Sequence, residues 1–506
     1  MRSPGRPLLR DVALRALDTA RTRGAAYADV RVVHFQSQSV TVRNRNVEGL
    51  VVDESLGFGV RVLVDGYWGF AASNDLTLSE ADRVAAEAVK IARASSLVAG
   101  RRADIGPPVR TLGRYTTPVL KDPFAVSLED KISLLLGVTE TMSRVPDIVM
   151  AEASVYNQRE RKTFASSEGA YVEQDLTETG CGIEATAVDE GEVQKRSYPN
   201  SVGRHQGSEG WEFVDRWDLP ANASRVAEEA AALLRAKPCP PGVTTIILDG
   251  SQLALQIHES CGHAIELDRV LGTEAAFAGT SFLTTDKLGG FRYGSDLVNL
   301  TADATIPGGL GSFGFDDEGV PAQRTPIVRD GLFLGYLTSR ETAAALGAEL
   351  GSARPEPVEG RGLVSGRSGG AMRADSWRHL PLIRMTNVSL EPGVGSLDDL
   401  IAGTDEGLYM ETNRSWSIDD RRLNFQFGTE LAREIKGGKL GDLVKNATYT
   451  GMTPAFWGSC DAICGRESWV VWGTPNCGKG QPEQLAHTGH GASPARFRNV
   501  RIGVMQ

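Results

Sequence analysis

The segment His258-Glu259-Ser260-Cys261-Gly262-His263 concentrates groups that could do chemistry. The chain has 7 histidines, and two of them fall here. Paired imidazoles can hold a Zn²⁺ ion, and an adjacent carboxylate can take a proton from its bound water. That is the working set of a metallopeptidase. The spacing is unusual. The common zinc-protease motif sets its histidines four apart on one helix face. Here they are five apart. At ~100° per residue, four steps leave a pair about 40° out of line, but five leave it about 140° apart. A regular helix cannot aim both rings at one ion. Either the pattern is accidental, with hydrogen-bonded core histidines, or the helix is bulged or broken near Cys261-Gly262. Gly262 fits the second option, because glycine tolerates the backbone that a bulge or helix end needs.

A catalytic zinc needs a third protein ligand and an open position for water. Glu266 and Asp268 are close in sequence, and Cys460, Cys464, Cys477, His487 and His490 lie downstream. Spacing does not choose among them. Cys477 sits in Asn476-Cys477-Gly478-Lys479-Gly480, a glycine-rich loop that could bring a thiolate to a metal. Cys460 and Cys464 read as structural thiols, and His487-x-x-His490 as exposed loop in a Gly/Ser-rich tail. Gly309-Leu310-Gly311-Ser312-Phe313-Gly314 matches the G-x-G-x-x-G dinucleotide pattern. An acidic turn follows it, so the strand–turn–helix context is missing. No P-loop and no G-x-S-x-G elbow is present.

The elements that must position this segment can be read outward from it. Lys237-Pro238-Cys239-Pro240-Pro241-Gly242 is a stiff connector between an α+β domain, 1–236, and a larger β-rich domain, 243–506. In the first domain, helices are expected at 8–23, 78–95, 128–144 and 221–236. Thr77/Glu80 reads as a capping box and Ser127/Asp130 as a similar helix start. Strands are expected from Val30 to about Phe70, with a turn at Asp65-Gly66, and at 147–157 and 180–190. In the second, a strand at 243–248 feeds the histidine helix. Asp330-Gly331 and Gly437-Gly438 mark hairpins of one large, curved, mainly antiparallel sheet. The Pro/Gly/Arg-rich stretch 352–370 reads as a mobile surface insertion.

Composition narrows the partners. Net charge is −10 and no dense Lys/Arg block occurs, which argues against nucleic acid and anionic membrane. No apolar run reaches the ~20 residues of a membrane span. The N-terminus lacks a continuous apolar core and reads as a surface helix, so a cytoplasmic protein is expected. Six cysteines in 506 residues do not make a disulfide scaffold.

Several segments in order resemble the TldD/PmbA family of metallopeptidases. They are the histidine segment followed by Glu266 and Asp268, Asp316-Asp317-Glu318-Gly319, Ser376-Trp377-Arg378-His379 with Arg384-Met385-Thr386-Asn387, and Cys477-Gly478-Lys479-Gly480-Gln481. Tyr27-Ala28-Asp29-Val30 and Gly57-Phe58-Gly59-Val60-Arg61 resemble its N-terminal domain. The resemblance implies Zn²⁺ held by His258, His263 and Cys477, with Glu259 as general base. It also implies short or unfolded peptides, bound in extended form inside a dimer-enclosed cavity. The dimer would be a homodimer or a heterodimer with a paralogue lacking the histidine motif. Retention of the motif places this chain with the catalytic, TldD-like subunits. The sequence departs from the family at Ala264 and Leu267, often glycine there, and in a loop one residue shorter after Cys477. The tail from Gln484 has no evident counterpart.

The expected chemistry is attack by zinc-activated water, with Glu259 moving the proton to the leaving amine. His379 is the candidate for a second electrophile at the developing oxyanion. The competing readings are a non-proteolytic regulatory subunit, after the family's modulator-of-DNA-gyrase label, and a metal-dependent amidase acting on modified peptides.

Overall fold

The computed structural model describes residues 6–98, 100–201, 203, 205–350 and 366–503. Most of the expected 352–370 insertion lies outside the described residues.

Strands and helices alternate in the N-terminal half as their patterning requires. Among the described residues one sheet contains β1 (Tyr27–Arg43), β2 (Asn46–Val64), β3 (Tyr67–Ser73), β4 (Leu112–Thr116), β5 (Ile148–Ser166) and β6 (Tyr171–Asp189), with β7 (Glu192–Tyr198) and β8 (Gln206–Gly207) on β6. Its order is β3-β2-β1-β5-β6-β4. Asp65 and Gly66 both take positive φ, 52° and 86°, the geometry that a two-residue hairpin loop needs. Helices α1 (Arg6–Thr22) and α2 (Leu78–Ser95) pack alanines and valines against one end of the sheet. Helices α3 (Leu128–Met142), α4 (Glu212–Trp217) and α5 (Leu219–Arg235) cover the other end. Thr77 caps α2 by accepting from the Glu80 N–H, but the Glu80 carboxylate turns to Arg83 instead of closing the box.

β5 and β6 run well past the expected limits of 147–157 and 180–190. Their far halves carry polar residues that face the C-terminal half. Lys162 lies 2.9 Å from Asp317, and Gln174 donates to the Phe315 carbonyl at 2.8 Å.

The C-terminal half differs from the single curved sheet expected. One sheet contains β9 (Lys237–Pro238), β10 (Gly242–Leu248), β17 (Glu406–Ile418), β18 (Asn424–Lys436), β19 (Lys439–Lys445), β20 (Thr448–Met452), β21 (Cys460–Ile463) and β24 (Ala495–Ile502). A second contains β11 (Leu300–Asp303), β12 (Arg324–Arg329), β13 (Leu332–Phe333), β16 (Asn387–Leu390), β22 (Val470–Lys479) and β23 (Gln484–Ala492). β14 (Met372–Arg373) and β15 (Leu382–Ile383) form a small ribbon. Helix α6 (Gly250–Ile257) lies between the large sheets, touching β17 of one and β23 of the other. The connector is not free chain, since β9 pairs with β19. The tail from Gln484 is also not loop: it supplies β23 and β24. Among the described residues no helix is long and apolar enough to cross a membrane.

Candidate metal centre

Strand β10 delivers the chain to Asp249, whose carboxylate accepts from the Ser251 N–H at 2.9 Å and starts α6. The helix is regular to Ile257. From His258 to Gly262 it widens into a π turn, closed by the His263 N–H donating to the His258 carbonyl. A short 3₁₀ turn, His263–Ile265, follows. A bond that spans five residues sets residues five apart one above the other. The awkward spacing is therefore matched by the backbone. The two rings stand 4.8 Å apart at 87°.

Gly262 has a different reason from the one expected. Its φ and ψ are −53° and −53°, which any residue adopts. What it provides is space: a Cβ there would lie 2.3 Å from the Met385 sulfur.

Cys477 arrives from β22, opposite Ala486 on β23. Its Sγ is 3.8 Å from His263 Nε2. One donor atom each from His258, His263 and Cys477 lie within 4.8 Å of one another, all three side chains buried. The shortened loop after Cys477 does not keep the thiol away. Ala264 and Leu267 are absorbed into the core beside the site.

Neighbouring groups fix the protonation of this cluster. Glu266 is a buried carboxylate; burial opposes its ionisation, but Lys479, 3.3 Å away, and His263 outweigh it and hold its pKa well below the usual range. His263 Nδ1, 3.0 Å from Glu266 Oε2, is then the donor, leaving Nε2 as a lone pair toward Cys477. Burial keeps His263 neutral by lowering its pKa. Burial works against ionisation of the Cys477 thiol, but positive charge beside it, from His263 when protonated and from the Arg384 guanidinium, lowers its pKa. Arg384 donates to the Cys477 carbonyl. Glu266 thus backs His263 from behind and is not one of the converging donors, and Asp268 pairs with Lys479 at 2.7 Å.

Glu259 follows His258 into a cavity of about 420 Å³ lined also by His258, His263, Cys477, Trp416 and Arg422. Its Oε2 accepts from Arg422 Nη1 at 2.8 Å. Arg422 stands at the β17–β18 turn with φ of 63°. Asp419 ties that turn down by accepting from the Leu423 and Asn424 N–H groups. Arg422 Nε is buried without a hydrogen-bond partner. Sequence reasoning missed this residue; Asp419-Asp420-Arg421-Arg422 reads as an ordinary charged hairpin tip.

The other expected candidates lie elsewhere. His379 is not among the residues lining this cavity; its Nδ1 is 2.7 Å from Asp375 Oδ1 and its carbonyl accepts from Arg31. Cys460 is buried on β21, its thiol pushed by burial up to about 12. His487 bonds Glu178. His490 lies on β23, fully buried, with Nε2 2.7 Å from His258 Nδ1. Exposed tail is the wrong description for both. The dinucleotide-like glycines serve packing: a Cβ on Gly311 would come within 2.4 Å of the Thr386 backbone.

Comparison with known proteins agrees with this architecture. Models of the PmbA/TldA metallopeptidase domain 1, central domain and C-terminal domain match residues 28–92, 121–237 and 241–503. The last includes the tail that had no evident counterpart. A metalloprotease of Methanocaldococcus jannaschii is 30% identical over 84% of this chain and 86% of its own length. A zinc metalloprotease TldD homolog of Saccharolobus solfataricus is 24% identical over 86% of this chain and 88% of its own. The solved structure of TldE from Thermococcus kodakarensis has the same fold, with a TM-score of 0.73 at 15% identity, covering 96% of this chain and 99% of that one. This chain belongs to the TldD/PmbA family of metallopeptidases.

Proposed function

We propose that this metalloprotease-family chain is a zinc-dependent peptidase acting on short or unfolded peptides. His258, His263 and Cys477 would hold the metal, and Glu259 would act as general base. The observation that carries the reading is the convergence of three buried donor atoms within 4.8 Å, on the wall of a cavity that also holds Glu259. The donor set suits zinc, being two imidazoles and a thiol held toward the thiolate. Zinc, when bound, would supply a Lewis acid and a water of lowered pKa.

The chain's own residues do the rest. Glu259 takes the nucleophile's proton and hands it to the leaving amine. Its Oε2 is engaged by Arg422, so Oε1 is the oxygen left to carry the proton. The second electrophile is Arg422 rather than His379, because Arg422 lines the cavity and His379 does not. Trp416 gives the cavity an apolar wall. Among the described residues β22 ends its sheet, and its residues Thr474, Asn476, Cys477 and Gly478 line the cavity, where a substrate in extended form would lie alongside them.

The same reading divides the chain at 237–242 and pairs it with a second copy or with a paralogue lacking the histidine motif. It also places the chain in a reducing, cytoplasmic setting, which its free cysteines support. The test is zinc content together with mass spectrometry of products from a panel of unfolded peptides. Cys477→Ala is expected to lose both zinc and cleavage. Full zinc occupancy in that variant would contradict the ligand set.

A further inference from the structure

His490 has no part in the chemistry above, yet it is fully buried against a residue of the cluster. It stands on β23, which runs parallel to β16. Its Nδ1 is 2.9 Å from the Val388 carbonyl on that neighbouring strand. A carbonyl can only accept, so Nδ1 carries a proton. His490 Nε2 is then a lone pair, unless the ring is doubly protonated. Among the described residues no acidic side chain pairs with His490 to compensate such a cation, and an unpaired buried charge is costly. The 2.7 Å contact between His490 Nε2 and His258 Nδ1 is therefore donated by His258. Thr488 Oγ1 approaches the same nitrogen at the longer distance of 3.3 Å.

We propose that His490 is a positioning residue that locks His258 in the Nδ1–H tautomer, so that its Nε2 lone pair is committed to the metal. The inference rests on the metal-centre reading given above. It makes the two histidines of the motif parallel cases with different backing. His263 is oriented by the Glu266 carboxylate, and His258 by a neutral imidazole anchored to a strand carbonyl. The difference has a chemical consequence. A carboxylate behind each ring would add negative charge to a cluster that already contains a thiolate donor and would weaken the Lewis acid. A neutral acceptor orients His258 without that cost.

The test uses the full chain and zinc alone. Zinc dissociation constants are measured by chelator competition for the wild type, His490→Leu and His490→Gln. The His258 tautomer is read by NMR of ¹⁵N-histidine-labelled, metal-free protein. His258 is expected to be protonated at Nδ1 in the wild type. His490→Leu, which removes the acceptor, is expected to bind zinc ~10–100-fold more weakly. His490→Gln restores an acceptor oxygen and is expected to recover most of that loss. Equal melting temperatures of the metal-free proteins show that the fold is intact. If His490→Leu does not fold, the wild-type tautomer and His490→Gln decide. An Nε2–H tautomer at His258, unchanged affinity in His490→Leu, or equal weakening in both variants would overturn the inference. A wild type that binds no zinc would instead sink the metal-centre reading itself.

Discussion

Glu259 lines the cavity beside the cluster with one oxygen already held by Arg422, and in the proposed mechanism this pairing would divide the work between a base and a cation. Removing the guanidinium leaves the metal cluster's own contacts in place. Arg422→Ala is therefore expected to retain zinc while kcat on an unfolded peptide falls by ~10²–10³-fold. Full activity in that variant would return the electrophile role to another residue. The contrast with His379 shows what sequence does and does not carry at this scale. The histidines and Cys477 stand out by type and by motif. Arg422 does not, because its place on the cavity wall comes from a turn at a charged hairpin tip. His379 resides in a recognisable motif, but its ring is committed to Asp375 and its carbonyl to Arg31.

At the scale of elements, the π turn is what makes a five-residue spacing usable. Its widened ladder passes close to Met385, which is fully buried, and only a residue without Cβ fits. Gly262→Ala is expected to destabilise the chain by ~1–3 kcal/mol through overpacking and to weaken zinc binding as the turn shifts. Adding Met385→Ala to Gly262→Ala should recover part of the loss, and thermal melts of the two single variants and the double variant measure it. Purely additive losses would show that the two side chains do not compete for space. The break in the helix was legible because the spacing has no regular-helix solution. Its cause was not, since a sequence does not show Met385 packed against Gly262. The tail misled for a related reason. Gln484–Ala492 is rich in small and polar residues, so it lacks the apolar alternation of a strand. It forms β23 nonetheless, because it is buried between its neighbours and its His490 meets His258.

At the scale of the whole molecule, the two halves are joined by buried polar and aromatic contacts that no local pattern announces. Arg31 and Lys162 of the N-terminal sheet both reach Asp317. His205, beside Phe213, Trp217 and Trp472, accepts from the Gly473 N–H of β22. Burial, with Arg216 nearby, lowers the His205 pKa from 6.5 to about 3. The unfolded chain thus binds a proton that the folded chain refuses. Stability from this group is full above pH 6.5 and is lost as pH falls from 6.5 toward 3. Thermal or urea melts should show the wild type losing ~2 kcal/mol between pH 6.5 and 5 that His205→Phe does not lose. Identical pH slopes would contradict this assignment.

The central claim is that Glu259 moves the proton at a zinc centre made by its neighbours. It is tested most directly by zinc content and peptide cleavage measured on the same preparations of wild type and Glu259→Gln. The wild type should bind zinc and cleave unfolded peptides, and the variant should keep its zinc while cleavage falls by at least ~10²-fold. A zinc-loaded Glu259→Gln protein that cleaves like the wild type would contradict the account.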